Sequence, residues 1–427
     1  MKKFTILALA AVLVVAFTVP VMAMEYNFGG YWRTRAWTMQ NFTGEDRTEL
    51  KDVTAVDTRT RLYFTAVFNE NLKFVNKFEF DAVWGDSPVN TYADIGADGK
   101  HIEIKNSYAD FNMGPVNAKV GVQGATLGRG FLFADDFGGA VVTFKGPGFA
   151  VPLIWIKSWE GSQYNDRLGH NNKDVDYYAI SPSFSVGDML TINPFALYAN
   201  STNARGWGKT AAYDNLDVFY GGLNLDANFG MASVWFTGIY QGGEGELAAS
   251  ANDTVDFSAY LAAGGFGLNF GAVGVHGQAF YATGDDTADD EVETFFVPKG
   301  QSYYWAEIMG YGDLADVYWG DVSNNAPADQ IGNIFAANLG ATFKPMDKLK
   351  IKCDVWYAAL AEDIVLPDGS EENQLGVEAD VKISYELVDG LTLDLIGAYL
   401  FAGDATTMGD SDEADPYEVG SRLSLSF

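Results

Sequence analysis

Cysteine is almost absent from the sequence. Cys353 is the one cysteine among 427 residues, so no disulfide can form within the chain and no Cys-x-x-Cys-His haem attachment exists. Leu349 and Ile351 share its face of an alternating segment. We interpret Cys353 as a packing residue, because no neighbour in the sequence would activate its thiol.

Long apolar runs and basic side chains are also scarce. Beyond residue 23, no segment is apolar throughout the roughly 18 residues that a spanning helix requires, which excludes a bundle of membrane helices. Lys and Arg number 27 against 57 Asp and Glu, and the formal net charge is −30. Such acidity argues against nucleic acid as a partner, because phosphate binding needs stripes of basic side chains.

The first 23 residues have the organisation of an export signal. Two lysines precede an apolar run that continues to about Val19, and a proline and small or apolar residues lead to Ala23. The run is too short for a spanning helix and a cleavage signal follows it. We therefore expect residues 1–23 to be a cleaved signal peptide and residues 24–427 to form one domain.

Alternation of polar and apolar residues is frequent in the sequence. Polar and apolar residues alternate through residues 57–68, 72–84, 348–359 and 377–387, and 15% of the chain is aromatic. Several of these runs reach ten or more residues, whereas a strand of a soluble protein usually has about 5–6 residues. Tilted membrane strands need about 9–11 residues, so the pattern favours strands that cross a membrane.

Short and long connections also alternate along the chain. Eight short turns are expected near residues 69–71, 113–115, 146–148, 187–188, 229–230, 270–271, 345–347 and 388–390. Longer polar stretches separate them, and the longest, 284–329, could hide a further hairpin or fold into a barrel mouth. The prediction is an all-β fold: a transmembrane antiparallel β-barrel of about 18 strands, or alternatively 16, with short periplasmic turns and long extracellular loops.

Two motifs resemble those of bacterial outer-membrane porins. Leu423, Leu425 and Phe427 alternate at the end of the sequence, and this is similar to the terminal strand that such proteins present to the barrel assembly machinery. Asp135-Asp136-Phe137-Gly138-Gly139 resembles the Pro-Glu-Phe-Gly-Gly element of the general-porin constriction loop, although proline is absent and Asp136 replaces glutamate. The resemblance implies a third loop, near 124–139, that folds into the barrel, and a homotrimer.

The faces opposite the apolar ones carry many charges, and a packed core could not hold them because each unpaired charge costs several kcal/mol to bury. We expect these side chains to line a wet lumen. The candidate pore-lining and constriction residues are Arg33, Arg35, Arg59, Arg61, Lys77, Glu103, Lys105, Lys119, Arg129, Asp135 and Asp136.

Our hypothesis for the constriction is that Asp135 and Asp136 face the arginines of the first two strands across the pore. Opposed charges would create a transverse field that orders water and slows apolar solutes. The alternative is that both aspartates cap or turn the loop, which Asp often does.

Catalysis is not predicted. The sequence contains neither a Gly-x-Ser-x-Gly elbow nor a His-Glu-x-x-His motif, and no cofactor is expected. The favoured function is a porin for passive diffusion of small hydrophilic solutes and ions. The alternatives are a substrate-specific outer-membrane channel, or a barrel that serves as sheath or structural partner of a periplasmic electron-transfer or other envelope complex.

The expected location is the outer membrane of a Gram-negative bacterium, with lipid and lipopolysaccharide as neighbours. Two acidic stretches, 284–291 and 410–415, lack EF-hand spacing. They could still bind Ca²⁺ or Mg²⁺ loosely and bridge to lipopolysaccharide.

Overall fold

The structure is a computed structural model. It describes residues 24–41, 53–85, 102–160, 174–201, 213–247, 254–286, 291–297, 299–310, 312–314, 331–409 and 415–427. The expected signal peptide lies outside these residues, and so do 287–290 and 410–414 of the two acidic stretches. Among the described residues, no helix is long and apolar enough to cross a membrane.

The described chain is almost entirely β-structure. Its first strands are β1 Glu25–Gln40, β2 Val53–Asn69, β3 Leu72–Val83, β4 Glu103–Met113, β5 Val116–Leu127, β6 Phe133–Gly146, β7 Phe149–Trp159, β8 Val175–Ile180, β9 Ser183–Val186 and β10 Leu190–Ser201. The later strands are β11 Tyr213–Asn228, β12 Ala232–Leu247, β13 Thr254–Asn269, β14 Val273–Ala282, β15 Glu291–Val292, β16 Ile334–Met346, β17 Leu349–Val365, β18 Glu371–Val388, β19 Leu391–Ala402 and β20 Tyr417–Ser426. A 3-10 turn, Gly128–Gly130, and a short helix, α1 Asp404–Thr407, complete it.

These strands close into one antiparallel barrel. β1 pairs with β2 on one side and with β20 on the other, which leaves no free edge there. β8 and β9 both pair with β7 and β10, so together they make one crossing. Pro182 lies at their junction, where proline offers no N–H to a ladder.

The number of crossings follows from this pairing. β15 has two residues and pairs in parallel with β13, so it is not a crossing, and the barrel has 18 strands that cross. The predicted all-β barrel of about 18 strands is therefore confirmed, and the alternative of 16 is wrong. All eight predicted short turns connect neighbouring strands, and glycines with positive φ, such as Gly114 and Gly187, lie in them.

The buried core lies inside the barrel. On β13, Leu261 is 1% exposed on the lumen side, whereas Tyr260 on the outer side is 51% exposed. The barrel walls alone do not bury these inner residues. Two segments of the chain enter the lumen and cover them.

The first segment is the hairpin tip, residues 128–132 between β5 and β6. The sequence predicted a long inward loop over 124–139, but β5 and β6 pair residue by residue from Gly124 and Asp136 up to Leu127 and Phe133. Only the tip leaves the ladder. Alternating residues in both arms continue the strands, so the wall is longer here and the loop shorter than expected.

The second segment is the inward segment, which comprises the described residues 291–297, 299–310 and 312–314 between β14 and β16. Its side chains Phe295, Ile308 and Met309 are at most 2% exposed. Of the two arrangements considered for 284–329, the described part folds into the barrel and contributes no strand that crosses.

Candidate functional site

The candidate site is an open, charged passage beside the hairpin tip. It is a cavity of about 730 Å³ between strands β2 to β6 and the inward segment. Its lining is Arg59, Arg61, Lys77, Glu79, Lys105, Gly124, Ala125, Thr126, Ala134, Asp135, Asp136, Gln301, Ser302 and Tyr304.

Cross-strand register places the arginines of the passage. Arg59 is directly opposite Asp81, and Arg61 is opposite Glu79, in the β2–β3 ladder. Arg59 donates to Asp81 over 2.7 Å from Nε, and Arg61 forms an ion pair with Glu79. Because the period of a strand is two, these charges point to one face. The pairs hold the guanidinium groups in place while 19% and 28% of their surfaces stay open to solvent.

The two lysines of the passage differ in their partners. Lys105 lies 3.6 Å from Asp136 and 4.0 Å from Glu79. Lys77 has no carboxylate partner among the described residues, and its Nζ lies 5.6 Å from the centroid of the Tyr63 ring. The passage therefore has one ammonium group free to meet a solute.

Asp135 and Asp136 lie on β6, three strands along the same wall from β3, and Lys105 of β4 lies between Asp136 and Glu79. The side chain of Asp135 accepts the backbone N–H of Asp136 over 2.7 Å, which is the turn-forming contact of the alternative hypothesis. Asp136 also accepts from Asn106 over 3.1 Å. Both aspartates belong to β6 and pair with Ala125 and Gly124 in the ladder, and a role of their carboxylates in a constriction stays a prediction.

Arg129 connects the hairpin tip to the far side of the barrel. It has a positive φ of 58°, forms an ion pair of 2.8 Å with Asp226 of β11, and donates to Thr237 of β12 over 3.2 Å. Its guanidinium carbon lies 4.5 Å from the centroid of the Trp235 ring. These contacts hold the tip across the lumen.

The inward segment packs on this tip. Tyr303 stacks on Phe131 with a centroid distance of 3.7 Å, and Gln301 donates to the Phe131 carbonyl over 2.6 Å. The backbone N–H of Ala134 donates to the Gly300 carbonyl over 2.8 Å. Tip and segment therefore form one partition across the lumen.

On the other side of the partition, the lumen is filled with apolar side chains. The inner faces of β8, β10, β11 and β13 carry buried Tyr177, Leu197, Val218 and Leu261. Trp305 of the inward segment contacts Phe280 at 5.4 Å and Trp356 at 5.1 Å, both measured between ring centroids. This half of the lumen is a packed core, in contrast to the passage.

Six of the predicted residues come together in the passage: Arg59, Arg61, Lys77, Lys105, Asp135 and Asp136. Arg33 lies in an adjoining cavity of about 510 Å³ that Arg59 and Arg61 also line. Glu103 is beside the passage, 3.7 Å from Lys105. That these groups act on solutes stays a prediction.

Besides Arg33 and Glu103, three further predicted residues do not line the passage. Arg35 is 1% exposed, forms an ion pair with Asp57 and donates to the carbonyls of Asp313 and Leu314 at 3.0 Å, so it holds the inward segment. Lys119 lies against the Tyr108 ring at 5.7 Å. Arg129 anchors the tip. Asp135 and Asp136 therefore face only part of the expected arginine wall.

Sequence reasoning missed the contribution of the inward segment. Tyr304 is 54% exposed and borders the passage, and Gln301 and Ser302 lie beside it. A signal existed, because Tyr303-Tyr304-Trp305 is an aromatic run inside an otherwise polar stretch. Alternation cannot reveal which strands a distant segment covers.

Cys353 also differs from its prediction. It is exposed on the outer face of β17, where it borders the surroundings of the barrel instead of packing inside. Among the residues that the structure describes, no three His, Cys, Asp or Glu side chains are grouped so that they could hold a metal ion.

The comparisons with known proteins agree on the fold. No family model matches the chain, and no curated protein matches it. Several solved structures do. The outer membrane protein OpdK of Pseudomonas aeruginosa is 12% identical over 94% of this chain and 99% of its own, with a TM-score of 0.58.

Two further structures are similar to the same extent. OccK8 (OprE) of P. aeruginosa is 10% identical over 94% of this chain and 98% of its own, with a TM-score of 0.57. OccAB4 of Acinetobacter baumannii is 9% identical over 96% and 99%, with a TM-score of 0.58. A further structure is of OpdK with vanillate. The chain therefore has the fold of these proteins, a closed antiparallel barrel that OpdK shares as an outer-membrane protein.

Proposed function

We propose that the protein is an outer-membrane channel through which small hydrophilic solutes and ions diffuse passively, in a substrate-selective form. The observation that carries this proposal is the charged passage next to a filled half of the lumen. A solute that crosses the barrel would meet fixed charges of both signs within a narrow space.

Selectivity would come from the balance of those charges. Four basic and three acidic side chains line the passage, namely Arg59, Arg61, Lys77 and Lys105 against Glu79, Asp135 and Asp136. The local surplus is positive although the whole chain has a charge of −30. Charges that line a cleft with low-dielectric walls focus the field there, so small anions would be favoured and apolar solutes slowed.

The partition favours a selective channel over a general porin. The hairpin tip and the inward segment fill part of the lumen with buried side chains, as the 0% exposure of Phe131 and Met309 indicates. The same observation argues against a sheath, since a sheath needs an unobstructed lumen for its partner. We do not propose an enzymatic activity.

Location and assembly are part of the proposal. Large apolar side chains such as Phe28, Leu339 and Phe401 are more than half exposed on the outer wall, which suits contact with lipid. The backbone of Phe427 exchanges two hydrogen bonds with Gly30, of 2.8 and 3.1 Å, so the last strand completes the barrel. We propose the outer membrane, export by a cleaved signal peptide, recognition by the barrel assembly machinery and a homotrimer.

Single-channel recording in a planar bilayer tests the function. We expect steady ohmic openings, in groups of three for a trimer, and a reversal potential in a salt gradient that indicates preference for chloride. A purified, folded barrel that never conducts would contradict the proposal.

Solute uptake separates the selective form from the general one. Proteoliposomes would be offered vanillate, which OpdK was solved with, and the uncharged vanillyl alcohol of nearly the same size. Faster swelling with vanillate supports selectivity by the basic side chains. Equal rates would favour a general porin. The matched control is Lys348→Glu, which changes a lysine at the β16–β17 turn away from the passage.

A further inference from the structure

The inward segment also meets the barrel wall at a cluster of four carboxyl groups, of which the three on the wall are buried. Glu307 belongs to the segment, Glu378 and Asp380 to β18, and Glu418 to β20. Glu378 and Glu418 are 0% exposed and Asp380 is 8% exposed. The cluster lies outside the charged passage and none of its members lines that passage.

Hydrogen bonds connect the segment to the wall through these groups. The carboxyl oxygens of Glu378 accept the backbone N–H groups of Ile308 and Met309 over 2.6 and 2.8 Å. Asp380 accepts the N–H of Glu307 over 3.4 Å. The wall carboxyls therefore hold the segment where its chain turns.

Part of this cluster lacks donors. Both carboxyl oxygens of Glu418 and the Oδ1 atom of Asp380 are buried with no hydrogen-bond donor in reach. A buried, ionised carboxylate without a partner costs several kcal/mol. Glu418 and Asp380 therefore favour the protonated form while the cluster stays packed.

The nearby cations are engaged elsewhere. On the segment, Asp313 forms ion pairs with Lys382 of β18 and, at 2.5 Å, with Arg422 of β20. Arg422 also reaches Asp394 of β19 at 2.8 Å. Burial alone would raise the pKa of Asp313, but Lys382 and Arg422 outweigh it and hold that pKa below its usual value.

The cationic side chains of β1, β14 and β17 are also paired with carboxylates outside the cluster. On β1, Arg35 is paired with Asp57 of β2. On β17, Asp354 is paired with Lys352 at 2.8 Å and with His276 of β14 at 2.7 Å. Among the described residues, none of the four clustered carboxyls has a cationic group within ion-pair distance.

We propose that this cluster is a proton-operated latch for the inward segment. With protons bound, the carboxyls pack together and the segment stays against β18 and β20. When Glu307 loses its proton, its carboxylate is left beside the wall with no cationic group within ion-pair distance, so the segment swings away and the apolar part of the lumen opens. This inference rests on the proposed channel function only for its electrical readout.

The titration of Glu307 sets the pH range. Burial, followed by the charges of Asp313 and Asp380, raises its pKa from 4.5 to about 7. A group whose pKa is raised in the latched state stabilises that state at low pH, and the stabilisation is lost as the pH rises through 7. Between pH 6 and pH 8.5 we expect the ratio of latched to open protein to fall about tenfold.

Hydrogen–deuterium exchange of the full-length protein tests the latch without any current. The readout is the protection of peptides covering 303–310, corrected for intrinsic exchange rates, at pH 6 and pH 8.5. Wild type should lose about tenfold in protection. Glu307→Gln, which mimics the protonated group, should stay protected at both values, whereas Glu418→Gln leaves Glu307 to titrate and should keep the pH dependence.

The matched control is Glu386→Gln, which has the same change on β18 but lies near its periplasmic end, remote from the cluster. It should keep the wild-type pH dependence. If Glu418→Gln does not form a barrel, Glu307→Gln alone decides, because the segment is not part of the strand ladder. Equal protection of wild type at pH 6 and 8.5 would overturn the latch.

These four carboxyls are not grouped so that they could hold a metal ion, and exchange with Ca²⁺ tests that point directly. Exchange at pH 8.5 would be repeated with millimolar Ca²⁺ and with chelator. No change in exchange supports the proton latch, whereas restored protection by Ca²⁺ would overturn it in favour of a cation site.

Bilayer recordings at the same pH values then report the opening as current. A silent bilayer with a pH-dependent exchange would defeat the channel proposal and leave the latch intact.

Discussion

The two halves of the lumen have opposite surfaces although the same kind of strand builds both. The charged wall, formed by Arg59, Arg61, Lys77, Glu79 and Lys105, borders an open passage. The apolar wall consists of the buried inner faces of β8, β10, β11, β13, β14 and β17 and is covered by the inward segment. The comparison shows that the side chains on the inner face of a strand decide what lies against it. Charged side chains stay in contact with water, and apolar side chains are covered by another part of the chain.

Energetics explain which wall the segment covers. Burying a large apolar side chain contributes about 1.5–3 kcal/mol, so the apolar wall favours a cover of side chains such as Phe295, which contacts Tyr220, and Trp305, which contacts Phe280. Covering the charged wall would instead remove ionised groups from water, at several kcal/mol for each ion. The segment therefore packs on one side and leaves the other hydrated.

Removal of the inward segment should have the largest effect on the difference between the covered apolar wall and the hydrated charged wall. Replacing residues 291–314 by a short Gly-Ser linker would uncover the apolar wall and join both halves of the lumen. We expect single-channel conductance to rise several-fold and the folded barrel to become less heat-resistant on gel electrophoresis. Unchanged conductance would show that the segment does not obstruct the pore.

Substitutions at two neighbouring aromatic residues distinguish the contribution of the apolar wall from that of the charged wall. Trp305 packs on Phe280 and Trp356 of the apolar wall, whereas Tyr304 is exposed to the passage. Trp305→Ala should lower the free energy of unfolding by about 3 kcal/mol through the cavity it leaves, as measured by urea titration in detergent. Tyr304→Ala should change stability by less than about 0.5 kcal/mol and alter solute permeability instead. Equal losses of stability would contradict the division.

Charge reversal tests the charged wall alone. Lys77→Glu combined with Lys105→Glu would turn the local surplus from positive to negative. We expect the permeability ratio of chloride to potassium to fall several-fold while the barrel stays folded, as the reversal potential reports. Lys348→Glu adds negative charge outside the passage and serves as control. A similar shift in the control would show that net charge, not the passage, sets selectivity.

Substitution of Arg129, which anchors the hairpin tip, should have the smallest effect on the channel. Arg129→Ala removes the ion pair with Asp226, which is 49% exposed, and the contact with the Trp235 ring. Together these contribute about 1–2 kcal/mol after screening, so we expect more frequent brief closures and noisier open current. Arg129→Lys keeps the charge but loses the planar stacking and should be intermediate. Recordings as quiet as wild type would remove the anchoring role.

Much of the fold could be predicted from local patterns. The turns near 113–115 and 388–390 lie where their short polar sequences indicated, since a tight connection depends on a few neighbouring residues. Arg59, Arg61, Lys77 and Lys105 also share a passage, as alternation predicted. The 124–139 prediction was too long, because it rested on a resemblance while the residues themselves continue both strands.

The sequence by itself determined a barrel of about 18 crossings, with 16 left open, as well as its turns and the inward direction of its charges, because a period of two and a turn are properties of adjacent residues. The tertiary structure alone decided that Arg35 holds a segment more than 270 residues away, that Arg129 spans the lumen, and that Glu307 meets Glu418. These contacts depend on which distant inner faces are apolar enough to be covered. Strand periodicity describes a face but not its partner across the barrel.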